Sequence, residues 1–271
     1  VHLKNKHLLD TKGSLFIIAN HPNSFLDAII IGAYYNRRVF FLARGDVFEK
    51  KIYRYLLTSL NMIPVYRLRE GKEFLHLNDY AIRKSVELIA KGEAVLIFIE
   101  GVCINDHTLQ PFKKGTARIL EGLHQKNVFP TIHIAGIAYN NFKGIGKKVN
   151  LIITEFLFDQ KIENAHHRVA FNNHVCTVLA ENIEPPRQPT KIHKNFWYFF
   201  HKPYFSFIQN IVDQKTKGTV FFDSVLFAVL LFTYPVFLLL VFFLLYLLNL
   251  SILTIFIILI AIPLLSKNSI S

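Results

Sequence analysis

From Ser224 to Ser266 the chain carries no charged residue, and Leu, Phe, Ile and Val dominate. Such a run cannot form the wet surface of a soluble domain, and its length and composition fit a bilayer. As helix it would extend about 65 Å at 1.5 Å per residue, roughly twice the ~30 Å hydrocarbon core. The polar interruption at Asn249 and Ser251 therefore predicts a C-terminal transmembrane helical hairpin. Its spans lie near 224–247 and 250–266, the second short enough to be re-entrant instead. A hairpin returns Lys267 to the side of the preceding basic part, which by the positive-inside tendency faces the cytoplasm.

All of the charge lies ahead of this segment. Residues 219–271 hold one acid, Asp223, and one base, Lys267, so the whole net charge of +12 belongs to residues 1–218. The chain thus divides into a domain over 1–218 with a basic, membrane-facing surface and a membrane anchor over 219–271. The excess favours anionic partners such as acidic headgroups, phosphorylated metabolites, an acidic carrier protein or nucleic acid. A composition that is 52% hydrophobic excludes a disordered chain. Cys103 and Cys176 are too few and too far apart for a disulfide framework or a cysteine zinc site, and fit a reducing compartment. His166, His167 and His174 share a predicted helix, but no carboxylate or cysteine completes a zinc set, so no metal is expected. With Val at position 1 and Met62 the only methionine, the chain is expected to begin inside a longer or processed product.

Ahead of the spans, Phe196-Trp197-Tyr198-Phe199-Phe200 and Tyr204-Phe205 interleave with Lys194, His201 and Lys202. Rings and cations in that mixture suit the headgroup zone; capping the soluble core is the other use for them. Earlier, apolar runs at 14–19, 38–43, 62–66, 94–99, 131–138 and 149–157 predict strands. Helical patterns cover 24–35, 46–59, 72–91, 114–127 and 164–182. The alternation predicts an α/β fold, a mixed or largely parallel sheet flanked by helices. Glu184-Pro185-Pro186-Arg187-Gln188-Pro189 marks the exit from that core.

Asn20-His21-Pro22-Asn23-Ser24-Phe25-Leu26-Asp27 falls at the first strand-to-helix turn. A neutral imidazole there can take a proton from an alcohol, and a carboxylate on its far nitrogen would hold the tautomer and stabilise the imidazolium. The same residues admit a second reading, with Ser24-x-x-Asp27 a capping box and His21 a polar loop residue.

Three further segments carry polar chemistry at element ends. Asn61-Met62-Ile63-Pro64-Val65-Tyr66-Arg67 ends an extended stretch in a guanidinium able to clamp a phosphate. Ala94 to Phe98 runs through Ile99 into Glu100-Gly101, at the carboxyl end of a strand, where open α/β sheets place ligands. Pro111-Phe112-Lys113-Lys114-Gly115-Thr116 opens a helix whose amides and lysines could hold an anion. It is not a Walker loop, because no glycine precedes it at the required spacing.

Taken in order, these segments resemble the glycerolipid acyltransferase family, whose best-known members are the lysophosphatidic acid acyltransferases. The resemblance spans roughly residues 14–140. Asn20, His21 and Asp27 look like the family's Asn-His-x4-Asp block, with five intervening residues instead of four. Ile63, Pro64 and Arg67 match Gly-x-Ile-Pro-x-x-Arg, with Asn61 where glycine is usual. Phe98-Ile99-Glu100-Gly101 resembles Phe-Pro-Glu-Gly, with Ile99 in place of proline, and Lys114-Gly115-Thr116-Ala117 fits downstream. Ile132-His133-Ile134-Ala135-Gly136-Ile137 loosely matches the fourth block, Val-Pro-Val-Gly.

The resemblance implies an acyltransferase-type layer fold and transfer of a fatty acyl group from a thioester to a hydroxyl of lysophosphatidic acid or glycerol 3-phosphate. His21 would be the base and Asp27 its orienting acid. Arg67 would bind the acceptor phosphate, Glu100 and Gly101 would shape that pocket, and Lys113 and Lys114 would add anion binding. The donor would be acyl-CoA or an acidic acyl carrier protein, with no further cofactor and no nucleic acid partner. Two competitors stay open: a non-catalytic membrane adaptor using its basic face, and a thioesterase using the same pair to activate water.

Overall fold

The computed structural model describes residues 1–66, 77–144, 146–186 and 195–266. Contacts divide the chain into two units. The first comprises Val1–Pro22, Asp27–Ala138 and Val149–Pro185; the second comprises Asn23–Leu26, Tyr139–Lys148 and the described part of Pro186–Ser271.

The strands are β1 (His2–Lys4), β2 (Leu15–Ala19), β3 (Val39–Arg44), β4 (Met62–Val65), β5 (Ala94–Phe98), β6 (Thr131–Tyr139) and β7 (Val149–Glu155). They form one sheet in the order β1-β7-β6-β2-β5-β3-β4. The β1/β7, β6/β2, β2/β5, β5/β3 and β3/β4 pairs are all parallel. β6 and β7 form an antiparallel hairpin, bracketed by Asn140 N donating to Lys148 O and Phe156 N donating to Ile132 O. The sheet is therefore mixed and mostly parallel, as the alternation predicts.

Every residue of β2 is fully buried, the signature of a central strand covered on both faces, and it explains why its sequence is a continuous apolar run. Among the helices are α1 (Phe25–Tyr34), α2 (Lys51–Ser59), α3 (Asn78–Ala90), α4 (Gly115–Gln125) and α5 (Ala165–Asn182). Phe171, Val175 and Leu179 recur every four residues along α5 and join Phe16, Ile18, Val95, Ile97, Leu120 and Leu123 in one core. Full burial of each such side chain stabilises the fold by about 1.5–3 kcal/mol. The six predicted strands and five predicted helices are present, most with shifted ends; of the helix expected over 72–91, residues 72–76 lie outside the described residues. The helix expected from residue 46 begins at Lys51, behind a short 3-10 turn over Gly45–Phe48. Strand β1 was not predicted, because three residues are too few for an alternation to register.

The second unit contains α6 (Phe196–Thr216), α7 (Phe222–Leu247) and α8 (Ile252–Ser266). The aromatic cluster ahead of the apolar run forms the first turns of α6, started by Asn195, whose side chain accepts from Tyr198 N. Several of its polar and aromatic groups meet α7. Tyr204 stacks on Phe237 with ring centroids 4.6 Å apart, and Tyr204 Oη lies 2.7 Å from Thr233 Oγ1. Phe196, Phe199 and Phe207 stay exposed.

α7 is long and apolar enough to cross a membrane. A tight turn at Asn249, with φ 57°, leads into α8, and Phe242 meets Phe256 across the two helices. α8 has 15 residues, about 22 Å of helix, short of a ~30 Å core.

Candidate active site

Parallel pairing puts the carboxyl ends of β2, β5 and β6 side by side. Ala19 is in register with Phe98 on one side and Ala135 on the other, so the residues that follow each strand meet at one edge of the sheet. Asn20 extends the pairing with its side chain. Its Nδ2 donates to Ile137 O at 2.9 Å and its Oδ1 accepts from Ile137 N at 2.8 Å. That two-way bond fixes the direction in which the chain leaves β2.

The next residue is thereby presented at the edge. His21 Nδ1 lies 2.9 Å from Asp27 Oδ2, and the side chains are 20% and 0% exposed. The carboxylate is sealed, and the imidazole keeps a face to the outside. Five intervening residues do not prevent the meeting. Ser24 adopts φ 54°, a left-handed turn instead of the extended backbone usual for a helix N-cap.

Two further contacts hold the histidine. Its ring stacks on Phe98, with centroids 3.8 Å apart and planes at 10°. Its backbone N–H donates to Glu100 Oε2 at 2.7 Å, while Glu100 Oε1 accepts from Gln110 N at 2.9 Å. Glu100 is buried. Burial holds its pKa above the ordinary carboxylate value, and the Gln110 and His21 amides offset only part of that rise. Asn105 Nδ2 donates to Pro22 O at 2.8 Å, tying the loop after β5 to the residue beyond His21.

A buried acid orienting a partly exposed imidazole at the carboxyl edge of parallel strands suits proton abstraction from a bound hydroxyl. Residues 1–140 match the Acyltransferase family model, which covers over half of the chain. The chain belongs to the acyltransferase family. Comparison with curated proteins gives no match. Among solved structures, this acyltransferase is similar to the 1-acyl-sn-glycerophosphate (LPA) acyltransferase PlsC from Thermotoga maritima. The two share 18% identity over 66% of this chain and 70% of that one, with a TM-score of 0.45.

The remaining predicted site residues of the acyltransferase are placed unevenly. Gly101 sits at φ 61°, and a Cβ there would stand 2.8 Å from Lys113 Cγ, so the glycine makes room for the lysine stem. Lys113 N donates to Ile99 O at 2.9 Å, closing the loop back onto the strand end. Lys113 and Lys114 are both exposed, and Lys114 precedes α4. Arg67 lies outside the described residues. The strand it follows, β4, ends at Val65 on the same edge of the sheet, and Asn78 brackets Tyr66 by bonding both its N–H and its C=O. Asn61, where the family has glycine, adopts φ 59°; asparagine is among the few residues that tolerate this backbone.

Sequence reasoning assigned no role to the side chains of Asn20, Phe98, Asn105 or Gln110. Phe98 and Asn20 did lie inside recognised blocks, whereas Asn105 and Gln110 sit in a loop with no pattern. Among the described residues no group of three or more His, Cys, Asp or Glu is clustered for a metal, and His174 packs edge-on against Phe156 instead.

Proposed function

We propose that this acyltransferase moves a fatty acyl group from an acyl thioester to a hydroxyl of lysophosphatidic acid or glycerol 3-phosphate, at a membrane surface. The observation that carries the reading is the His21–Asp27 pair, 2.9 Å apart with the carboxylate buried. Because Nδ1 is engaged, Nε2 is the atom that removes the hydroxyl proton as the oxygen attacks the thioester carbonyl. The imidazolium, held by Asp27, then returns the proton to the departing thiolate. The thioester is already activated, so the proposal needs no covalent enzyme intermediate.

Arg67 takes the acceptor phosphate, with Lys113 and Lys114 adding positive potential toward acyl-CoA or an acidic carrier protein. Glu100 acts through the backbone, holding His21 from below, and Gly101 lets Lys113 cross the rim. The apolar helices α7 and α8 anchor the chain as a hairpin, with the basic part, residues 1–218, on the cytoplasmic side. Lysophosphatidic acid and the acylated product both partition into lipid, and anchoring keeps the enzyme beside them.

Purified protein in lipid nanodiscs, given labelled acyl thioester with and without lysophosphatidic acid, tests the proposal. Acylated lipid that disappears in His21→Ala is the expected result. Free fatty acid regardless of acceptor would instead show a thioesterase, and no turnover with any acceptor a binding protein.

A further inference from the structure

The turn between His21 and Asp27 is held from a distant part of the chain. Asn23 Nδ2 donates to Asp223 Oδ2 at 3.0 Å, and Leu26 N donates to Ser224 Oγ at 3.2 Å. Both acceptors lie in the first turn of α7, the apolar helix. Leu26 N belongs to the first turn of α1, where amides have no partner within the helix; Ser224 supplies one. Asp223 is fixed in its turn by Lys147, whose Nζ lies 2.7 Å away, the two side chains being 10% and 3% exposed. Burying such a pair costs about as much as its attraction returns, so its worth lies in fixing a geometry more than in stability.

These contacts enter the catalytic turn from both sides. Asn23 follows His21 by two residues, and Leu26 immediately precedes Asp27. A shift of the first turn of α7 is thereby passed by short covalent links to an imidazole and a carboxylate that must stay within hydrogen-bonding distance. Misplacing a catalytic group by about 1 Å can cost about 100-fold in rate.

We infer that Asp223 and Ser224 are positioning residues for the His21–Asp27 pair, acting through Asn23 and Leu26, which lie between the two. The inference rests on the acyl-transfer reading, and its test separates the two. In lipid nanodiscs, amide hydrogen exchange over residues 21–34 and steady-state kinetics with acyl-CoA and lysophosphatidic acid are measured for five forms. These are the parent chain, Ser224→Ala, Ser224→Thr, Asp223→Ala and, as a control on the exposed side of the same helix, Leu231→Ala.

Ser224→Ala should speed exchange at the Leu26 amide and lower kcat about tenfold with KM nearly unchanged, the scale of one hydrogen bond. Ser224→Thr should restore both, and Leu231→Ala should match the parent. Asp223→Ala should lower kcat by about 100-fold; if it does not fold, the Ser224 pair decides alone. Unchanged exchange at Leu26 in Ser224→Ala overturns the inference, as does faster exchange with unchanged kcat or a change confined to KM. A parent chain without turnover refutes the acyl-transfer reading, and exchange then decides whether α7 holds the turn.

Discussion

The imidazole of His21 lies flat against the ring of Phe98, with centroids 3.8 Å apart and planes at 10°. The stack constrains one face of the base, Asp27 constrains one edge and Glu100 constrains the backbone behind it. On the proposed function, a base held on three sides would lose little freedom when substrate arrives, and that pre-organisation would raise turnover more than affinity.

His21→Ala and Asp27→Asn should each lower kcat by about 10²–10⁴-fold. The alanine removes the base. The asparagine keeps the volume but cannot stabilise the imidazolium or enforce its tautomer. Circular dichroism that matches the parent, measured beside the kinetics, separates lost chemistry from lost fold.

Phe98→Leu keeps an apolar side chain under His21 and removes the stacked ring. Ring pairs contribute about 0.5–1.5 kcal/mol beyond burial, which corresponds to about a two- to thirteenfold fall in kcat. KM for the acyl donor should stay within about twofold, on the same scale of one lost contact.

Glu100→Gln places an amide where a carboxylate accepts two backbone N–H groups. One of them must then face a donor or lose its partner, at a cost of about 1–3 kcal/mol. Urea unfolding should show that loss, and activity should fall with it because His21 N is one of the two.

Gly136→Ala should be more damaging than Gly101→Ala. A Cβ at Gly136 would stand 2.4 Å from the backbone oxygen of Asn182, whereas at Gly101 it meets Lys113 Cγ at 2.8 Å. A lysine stem can swing aside, but the end of α5 cannot. Gly101→Ala still carries the left-handed backbone penalty of about 1–2 kcal/mol. Thermal unfolding of both variants gives the ranking.

His133 is fully buried on β6, with Nδ1 3.0 Å from Tyr35 Oη. Burial pushes its pKa down from 6.5 to about 4. The unfolded chain binds a proton as pH falls through the ordinary value, and the folded chain does not until about pH 4. The corresponding stability is present above pH 6.5 and lost as pH falls toward 4, about 3 kcal/mol in all. His133→Gln should flatten that part of the pH profile in urea titrations.

Much of this organisation is local and can be read along the chain. Periodicity located six of the seven strands among the described residues, because a central parallel strand such as β2 must be apolar at every position. Missing charge located α7 and α8. The blocks around His21, Glu100 and Lys114 marked strand and helix ends, where unpaired backbone and polar side chains collect. What stayed hidden was which of these residues touch. Glu100 binds the backbone of His21 across 79 positions of sequence, and Asn20 reaches Ile137 across 117.

The order of residues by itself determined the α/β layering, the uncharged C-terminal helices and the polar character of the turn after β2, since these follow from propensity, burial pattern and charge over short stretches. Tertiary structure alone decided that the carboxyl ends of β2, β5 and β6 converge, that Phe98 lies under the imidazole and that Asp223 holds Asn23 from 200 positions away. Contacts at such range depend on strand order and register, which no local pattern encodes.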